Sequence, residues 1–422
     1  VSSPCGGESS PQNLGGHRRM SSIRKTMLMR SLQLGTSMGM LWLTAAWMGP
    51  VLRGQTSMVM ALAHAGVLIS GFGAGSGMIY HASRFSTRAL WLWSQVWACS
   101  AAIFVGSLSW GFMEWTPLQS IMMGILTWFY ASVAAGRGWL LGNGRLQEDN
   151  VLGWMIPLLP TLVLGSLYAY QQFGGQVRPT LDLFLIIQGA ALGLVAAWSW
   201  FEIYFKDFQT KQATGHVGKA LWAFNRWTAS ANLGQFVVYR FQYLYMLTML
   251  GAAELGIYSV AVVVAEGAWV ITQTYSTVLL SSLSAHQGPP DEQRVRRSWG
   301  WCLQAFLWTM MPVAVLLFIP VTWLSQVLGS AYTPVHGLWI ALSPGILALA
   351  CSNVLVQHFT ALGRVRVSFF SSWGTAVLMV CGLGPALDLA GAQGIAWWTS
   401  LVLVANTVGV MAFFRMTYKA YL

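Results

Sequence analysis

From near Ser31 almost to its C-terminus the chain is a run of apolar stretches separated by short polar loops. A stretch of about 20 residues coiled as an α-helix rises about 30 Å, the thickness of the bilayer hydrocarbon. Inside lipid every backbone N–H and C=O must be satisfied within the protein, so each stretch is expected to be a membrane-spanning helix. Twelve spans are predicted: Ser31–Leu52, Ser57–Ile79, Ala89–Met113, Leu118–Leu141, Val151–Tyr170, Leu181–Phe205, Lys219–Met249, Ile257–Leu283, Trp299–Trp323, Val335–Leu362, Val367–Asp388 and Ala392–Phe414.

Composition agrees. Only 8% of the 422 residues are charged and 55% are hydrophobic, against about 25% charged in a soluble domain. The net charge of +11 would raise the question of nucleic acid in a soluble protein. Here the basic residues sit in short loops between apolar spans and form no groove, so no nucleic-acid partner is expected.

The basic residues test the span count independently, because each crossing inverts the side of the membrane. With both ends on the cytoplasmic side, all but four of the 23 Lys and Arg fall in inside segments. Arg53 and Arg178 fall outside, and Arg226 and Arg240 lie within span seven. Residues 1–30 begin with a stretch rich in Ser, Gly and Pro and read as a disordered cytoplasmic segment. The first apolar stretch is too long for a signal-peptide core and is expected to be retained. The longest internal loop, around Lys206–Gly218, divides the chain into an N-terminal lobe (31–210) and a C-terminal lobe (211–422), each of six helices. Such a plan suits transporters built from repeats. No loop is long enough to form a folded catalytic unit, so the chain is not expected to be an enzyme.

Familiar chemical motifs are missing. The five cysteines are scattered without metal-ligand or disulfide spacing, and no cofactor or metal is expected. Gly71, Gly73, Gly75 and Gly77 resemble a dinucleotide loop only superficially, since Ser76 stands where its third glycine belongs. Spacings of four residues within a span instead suit close helix packing.

Ionisable residues at membrane depth are more informative, each costing about 2.5–3.5 kcal/mol at a helix centre unless it faces a lumen or a partner. Arg226 and Arg240 are separated by fourteen residues, which places them within about 40° of one helix face and about 21 Å apart. Ser230 and Thr248 share that side, and Tyr243 flanks Arg240 about 60° further round. In span eight Glu266 forms a polar stripe with Ser259, Gln273 and Thr277. Two readings stay open: a structural ion pair between Arg240 and Glu266, or a cavity whose surplus arginine meets an anionic substrate. Arginine suits phosphate because its planar fork donates two parallel hydrogen bonds. His64 and His358 read as helix-to-helix hydrogen-bonding groups, with proton coupling at His64 or Glu266 as the functional alternative. Glu202 is expected to reach interfacial water.

Arg240 begins a stretch that continues through Leu250-Gly251, Gly256-x-Tyr258-Ser259-x-Ala261 and Glu266. Further on come L-G-S-A-Y at Leu328–Tyr332, A-L-G-R at Ala361–Arg364 and G-A-Q-G-I-A at Gly391–Ala396. In order and spacing these motifs resemble the Wzx-type polysaccharide/O-antigen flippases of the multidrug/oligosaccharidyl-lipid/polysaccharide exporter superfamily. In the first half the resemblance rests on span count and loop charge. It implies an all-α polytopic protein of about twelve transmembrane helices, in two six-helix lobes around a central V-shaped cavity. The implied function is to move undecaprenyl-pyrophosphate-linked oligosaccharides across the bacterial cytoplasmic membrane by alternating access, for O-antigen, lipopolysaccharide or exopolysaccharide synthesis. The bilayer, a polysaccharide polymerase and glycosyltransferases are the implied partners. Arg226, Arg240, Gln242, Tyr243, Glu266 and Gln273 are the cavity candidates. Many relatives carry an Asp two residues after the Arg, where this chain has Gln242; any ion-coupling role of that acid does not carry over. A drug or cation antiporter of the same superfamily, a lipid II flippase and a membrane-embedded glycosyl or acyl transferase remain as alternatives.

Overall fold

A computed structural model describes residues 28–29, 31–82, 84–113, 115–206, 216–268, 272, 276 and 292–420. Every element among the described residues is helical. Helix α1 covers residues 31–42 and widens into a π turn at Leu43–Trp47. Helix α2 starts at once, at Gly49, and runs to Ser70 with Pro50 in its first turn, where a missing N–H costs nothing. The break between the first two spans therefore lies at Met48–Gly49, not at the predicted 53–56. This puts Arg53 inside a helix and not in a loop.

Residues 71–74 turn the chain by 47° into the short helix α3, Gly75–His81. The glycine run packs closely, as expected: a Cβ on Gly73 would lie 1.9 Å from the Trp97 ring. It also breaks the second span, expected as one continuous helix, into α2 and α3. Helix α4, Thr87–Phe112, is capped by the Ser86 side chain, and α5, Pro117–Gly142, by a reciprocal capping box of Thr116 and Gln119. Helices α6, Leu146–Gln172, and α7, Leu181–Lys206, complete the first half. The predicted boundary at 210/211 falls outside the described residues, as do residues 1–27 and 30.

Helix α8, Val217–Leu250, is followed by α9, Ala252–Gly267, with only Gly251 between them. Gly251 has φ +86°, a left-handed conformation that glycine adopts without strain, which gives the Leu250-Gly251 motif its physical reason. Then come α10, Glu292–Phe318, the short α11, Val321–Leu328, and α12, Val335–Ala361. The predicted ninth span thus ends at Phe318, and Trp323 belongs to α11. Helix α13, Val365–Thr417, loses helical geometry at Ala390 and Gly391 and folds back on itself. Its two arms are tied where Trp398 Nε1 donates to the Met379 carbonyl at 3.1 Å.

Seven of these helices are each long and apolar enough to cross a membrane, and the bent pair α2–α3 makes an eighth. Splitting α13 into its arms and adding α1, α8 and α9 brings the segments to twelve, in the predicted order. Large apolar side chains such as Ile103, Phe112, Phe318 and Leu389 point outward, as lipid permits. One buried apolar cluster runs from α1 and α2 through α8 and α9 to α12 and α13, joining the two halves.

The loops rich in Arg define a basic face. On the opposite face α2 and α9 cross in backbone contact. A Cβ on Gly54 would lie 1.9 Å from the Ala252 carbonyl oxygen, and one on Gly256 1.9 Å from that of Pro50. Beside this crossing Ser57 donates to Ser259 Oγ at 2.8 Å, Trp42 Nε1 to Val327 O at 3.1 Å and Tyr332 OH to Ala45 O at 3.2 Å. Towards the basic face the halves also meet: Asn225 accepts from Gly77 N–H at 2.7 Å and donates to Ala74 O at 3.1 Å.

The crossing yields a prediction. Gly256→Leu cannot fit against Pro50 and should hold α2 and α9 apart. A cysteine replacing the buried Ser57 in purified protein should then react with a polar maleimide several-fold faster than in the Gly256 background. Equal labelling rates would show that the contact closes nothing.

Candidate functional site

Helix α8 has 34 residues and is therefore about 51 Å long, well beyond the roughly 30 Å hydrocarbon. Arg240 lies ten residues from its Leu250 end, about 15 Å down, at the middle of the membrane. The one-residue turn at Gly251 sends α9 back beside α8, which brings Glu266 to a similar depth. The two side chains meet in a two-pronged pair, Nη1 to Oε1 and Nη2 to Oε2, both 2.8 Å. Charged bonds of this fork geometry are among the strongest that side chains make. The Arg240 guanidinium also lies 5.1 Å from the centre of the Tyr243 ring.

Arg240 and Tyr243 face a cavity of about 350 Å³ walled mainly by α1, α2, α5, α6 and α7 of the first half. Its polar lining includes Gln33, Thr44, Arg53, His64 and Gln188. Glu266 grips Arg240 without lining the cavity itself. Arg53 is the residue that sequence reasoning missed. Its Nη1 donates to Thr44 Oγ1 at 2.6 Å and its Nε to Ser259 Oγ at 3.3 Å. No carboxylate among the described residues pairs with it. With one acid against two arginines, the site keeps one positive charge in excess. The Tyr243 hydroxyl and Gln188 Oε1 are buried there without a hydrogen-bond partner among the described residues. A buried polar group left so costs about 1–3 kcal/mol, so both are poised to bond something placed in the cavity.

The other candidates divide. Gln242 does not reach the cavity: its Oε1 accepts from Thr399 Oγ1 at 2.8 Å and its Nε2 donates to Tyr239 O at 3.3 Å, tying α8 to α13. Two residues are about 200° apart on a helix, so Gln242 must face away from Arg240. Arg226 shares the face of Arg240 but lies exposed near the basic face, 5.7 Å from the Trp227 ring. Ser259 is consumed by the contact between the halves, and Gln273 and Thr277 lie outside the described residues. His64 lines the cavity against Phe236. His358 is a buried bridge between Ser298 Oγ at 2.8 Å and the Tyr418 hydroxyl at 3.2 Å. Glu202 does not reach interfacial water; it is buried against Arg145.

A second cavity, also about 350 Å³, lies nearer the basic face, along the same sides of α2 and α5. Arg137 and Asp149 line it as an ion pair at 2.6 Å. Two cavities thus lie along α2, α5 and α8, one towards the basic face and one at the membrane centre, while on the opposite face the backbones of α2 and α9 touch.

Glu266→Gln should leave the Arg240 guanidinium in place without its counter-charge. Breaking a dry pair costs about 3–5 kcal/mol, and partial exposure of both side chains here reduces this to about 2 kcal/mol. Thermal unfolding in detergent should show a lower midpoint for Glu266→Gln and substantial recovery for Arg240→Met/Glu266→Leu. A single variant as stable as the wild type would refute the pairing.

A family model described as "Polysaccharide biosynthesis protein" matches residues 186–337. No curated protein sequence matches the chain. Among solved structures, the chain is similar to the lipid II flippase MurJ in an inward closed conformation, at 12% identity and TM-score 0.69, covering 93% of this chain and 87% of that one. It is also similar to an inward-facing multidrug resistance MATE family transporter of the MOP superfamily, at 12% identity and TM-score 0.67, covering 94% and 98%. An outward-facing MATE family transporter gives TM-score 0.60 at 13% identity, covering 95% of each chain. The family match agrees with the resemblance to polysaccharide-export proteins drawn from the second half of the sequence, and the structural likenesses bear out the two-lobed helical fold expected from it.

Proposed function

We propose that the protein is a flippase for polyprenyl-pyrophosphate-linked oligosaccharides in the bacterial cytoplasmic membrane, with its basic face in the cytoplasm. The observation that carries this reading is Arg53, a second guanidinium in the central cavity with no acid among the described residues to cancel it. A sugar-pyrophosphate headgroup cannot cross hydrocarbon unaided, because its charges would lose their hydration. Arg53 and Arg240 replace that hydration with charge-assisted bonds, while Tyr243 and Gln188 supply neutral ones. The polyprenyl tail stays in lipid.

The path follows from the cavities. A headgroup delivered by glycosyltransferases on the cytoplasmic side enters past Arg137 and reaches the centre between Arg53 and Arg240. Parting of α2 from α9 then opens the other face, and the lobes rock about the bound headgroup. Glu266 and His64 are the groups placed to couple a proton to this cycle: protonating Glu266 releases Arg240 towards phosphate. The surplus positive charge disfavours a cationic drug as cargo. The polysaccharide made with the exported units, whether O-antigen or another, is set by the glycan delivered.

Arg53→Gln should reduce flipping of a fluorescent polyprenyl-pyrophosphate disaccharide in proteoliposomes by roughly ten- to a hundredfold, the worth of one charged hydrogen-bonding group. Arg53→Lys should retain part of the activity, lacking only the two-pronged geometry. Ser259→Ala, which removes an Arg53 bond but no charge, should stay near wild type. Full transport by Arg53→Gln would sink the proposal.

A further inference from the structure

Arg226 is unexplained by the central cavity, and its surroundings assign it another task. Its guanidinium carbon lies 5.7 Å from the centre of the Trp227 ring, and that of Arg366, from the start of α13, lies 5.5 Å from the same ring. Both are within the range at which an indole face attracts a cation. The two charges are thus held no more than about 11 Å apart, by adding the two distances. Both arginines are exposed, and neither forms an ion pair among the described residues. By contrast Arg296, also on the basic face, is neutralised by Glu292.

The arrangement is built and not loose. Phe369 packs edge-on against Trp227 at 5.4 Å. One turn along α8, Ser230 accepts from Trp373 Nε1 through its carbonyl at 3.0 Å and its hydroxyl at 3.2 Å. Gly234 brings the α8 backbone up to Ser372. Helices α8 and α13 are therefore fastened together beside the two arginines.

Depth identifies the ligand. Measured from Leu250, the roughly 30 Å hydrocarbon reaches only to about residue 230, which leaves Arg226 at headgroup level. Arg366 lies at the foot of α13, at the same level. One turn above it Phe370 is 68% exposed, an apolar wall facing acyl chains. Two unneutralised guanidinium groups below an apolar wall match a phosphate carried on a lipid chain.

We propose that Arg226, Trp227 and Arg366 form a binding site for a lipid-borne phosphate in the leaflet at the basic face. The same chemistry is offered by an anionic phospholipid of the bilayer and by a polyprenyl pyrophosphate. The site stands apart from the central cavity and does not depend on what that cavity carries.

Native mass spectrometry of the delipidated full-length protein tests this, with phosphatidylglycerol and phosphatidylcholine as probes. Wild type should retain one more phosphatidylglycerol than Arg226→Gln/Arg366→Gln, whose affinity at that site should be about thirty-fold weaker, from about 1 kcal/mol per arginine near anionic lipid. Phosphatidylcholine retention should be equal. Trp227→Leu keeps both charges but removes the ring that gathers them, and it should also bind more weakly. Displacement of phosphatidylglycerol by geranylgeranyl pyrophosphate would identify polyprenyl pyrophosphate as the ligand, and retention against it a bilayer phospholipid. Equal retention by wild type and the double variant, or undiminished binding by Trp227→Leu, would overturn the site. Because retention is read without transport, failure of Arg53→Gln to impair flipping would leave this result intact, and the reverse holds too.

Discussion

A guanidinium held at the middle of a membrane needs a substitute for water, and the architecture around Arg240 supplies one. The turn at Gly251 is short enough to bring α9 straight back along α8, so Glu266 arrives at the depth of Arg240 and bonds both prongs of its fork. Behind the pair, Gln242 ties α8 to Thr399 on α13. The second lobe is in this respect a scaffold that holds one charged group steady at a depth where charge is expensive.

The first lobe contributes the unbalanced part. Among the described residues Arg53 is held by two hydroxyls, one from the π turn of α1 and one from α9. Its position depends on the tight crossing of α2 over α9, where two glycines let backbones touch. The contact that shuts one side of the membrane therefore also positions the charge that makes the cavity electropositive. Gly256 and Ser259, four and seven residues after Ala252, serve both ends from one face of α9.

Most of the fold was legible because lipid enforces a single solution for each apolar stretch, and the distribution of Arg between loops fixed how often the chain crosses. Arg240 and Glu266 were legible for a similar reason: ionisable groups in an apolar run must find each other or a lumen. Hydropathy assigns Arg53 to a loop because it blurs where one span ends and the next begins. Gly49-Pro50, a helix-start signal, placed the boundary better than the hydrophobic average. Gln242 was grouped with Arg240 by family motif, although helical periodicity sets the two on different faces. Arg226 was grouped with Arg240 by periodicity, although α8 is longer than the bilayer is thick. That Gln188 joins Tyr243 in lining the cavity depends on which helices become neighbours, which one sequence without relatives does not state.

The two guanidinium groups of the central cavity stand on different halves of the chain, Arg53 on α2 and Arg240 on α8, and among the described residues only Arg240 pairs with a carboxylate. In the proposed rocking of the halves, the Arg240–Glu266 fork would travel as one unit while the span from Arg53 to Arg240 changes. Affinity for a bridging anion is thereby a function of the rotation angle, strongest where both cations converge and weakest where they separate. By linkage, an anion bound across the gap opposes the very rotation that would weaken its own binding. In the proposed transport cycle, cargo and conformation are then two coordinates of one equilibrium, and parting α2 from α9 would also loosen the hold on the anion.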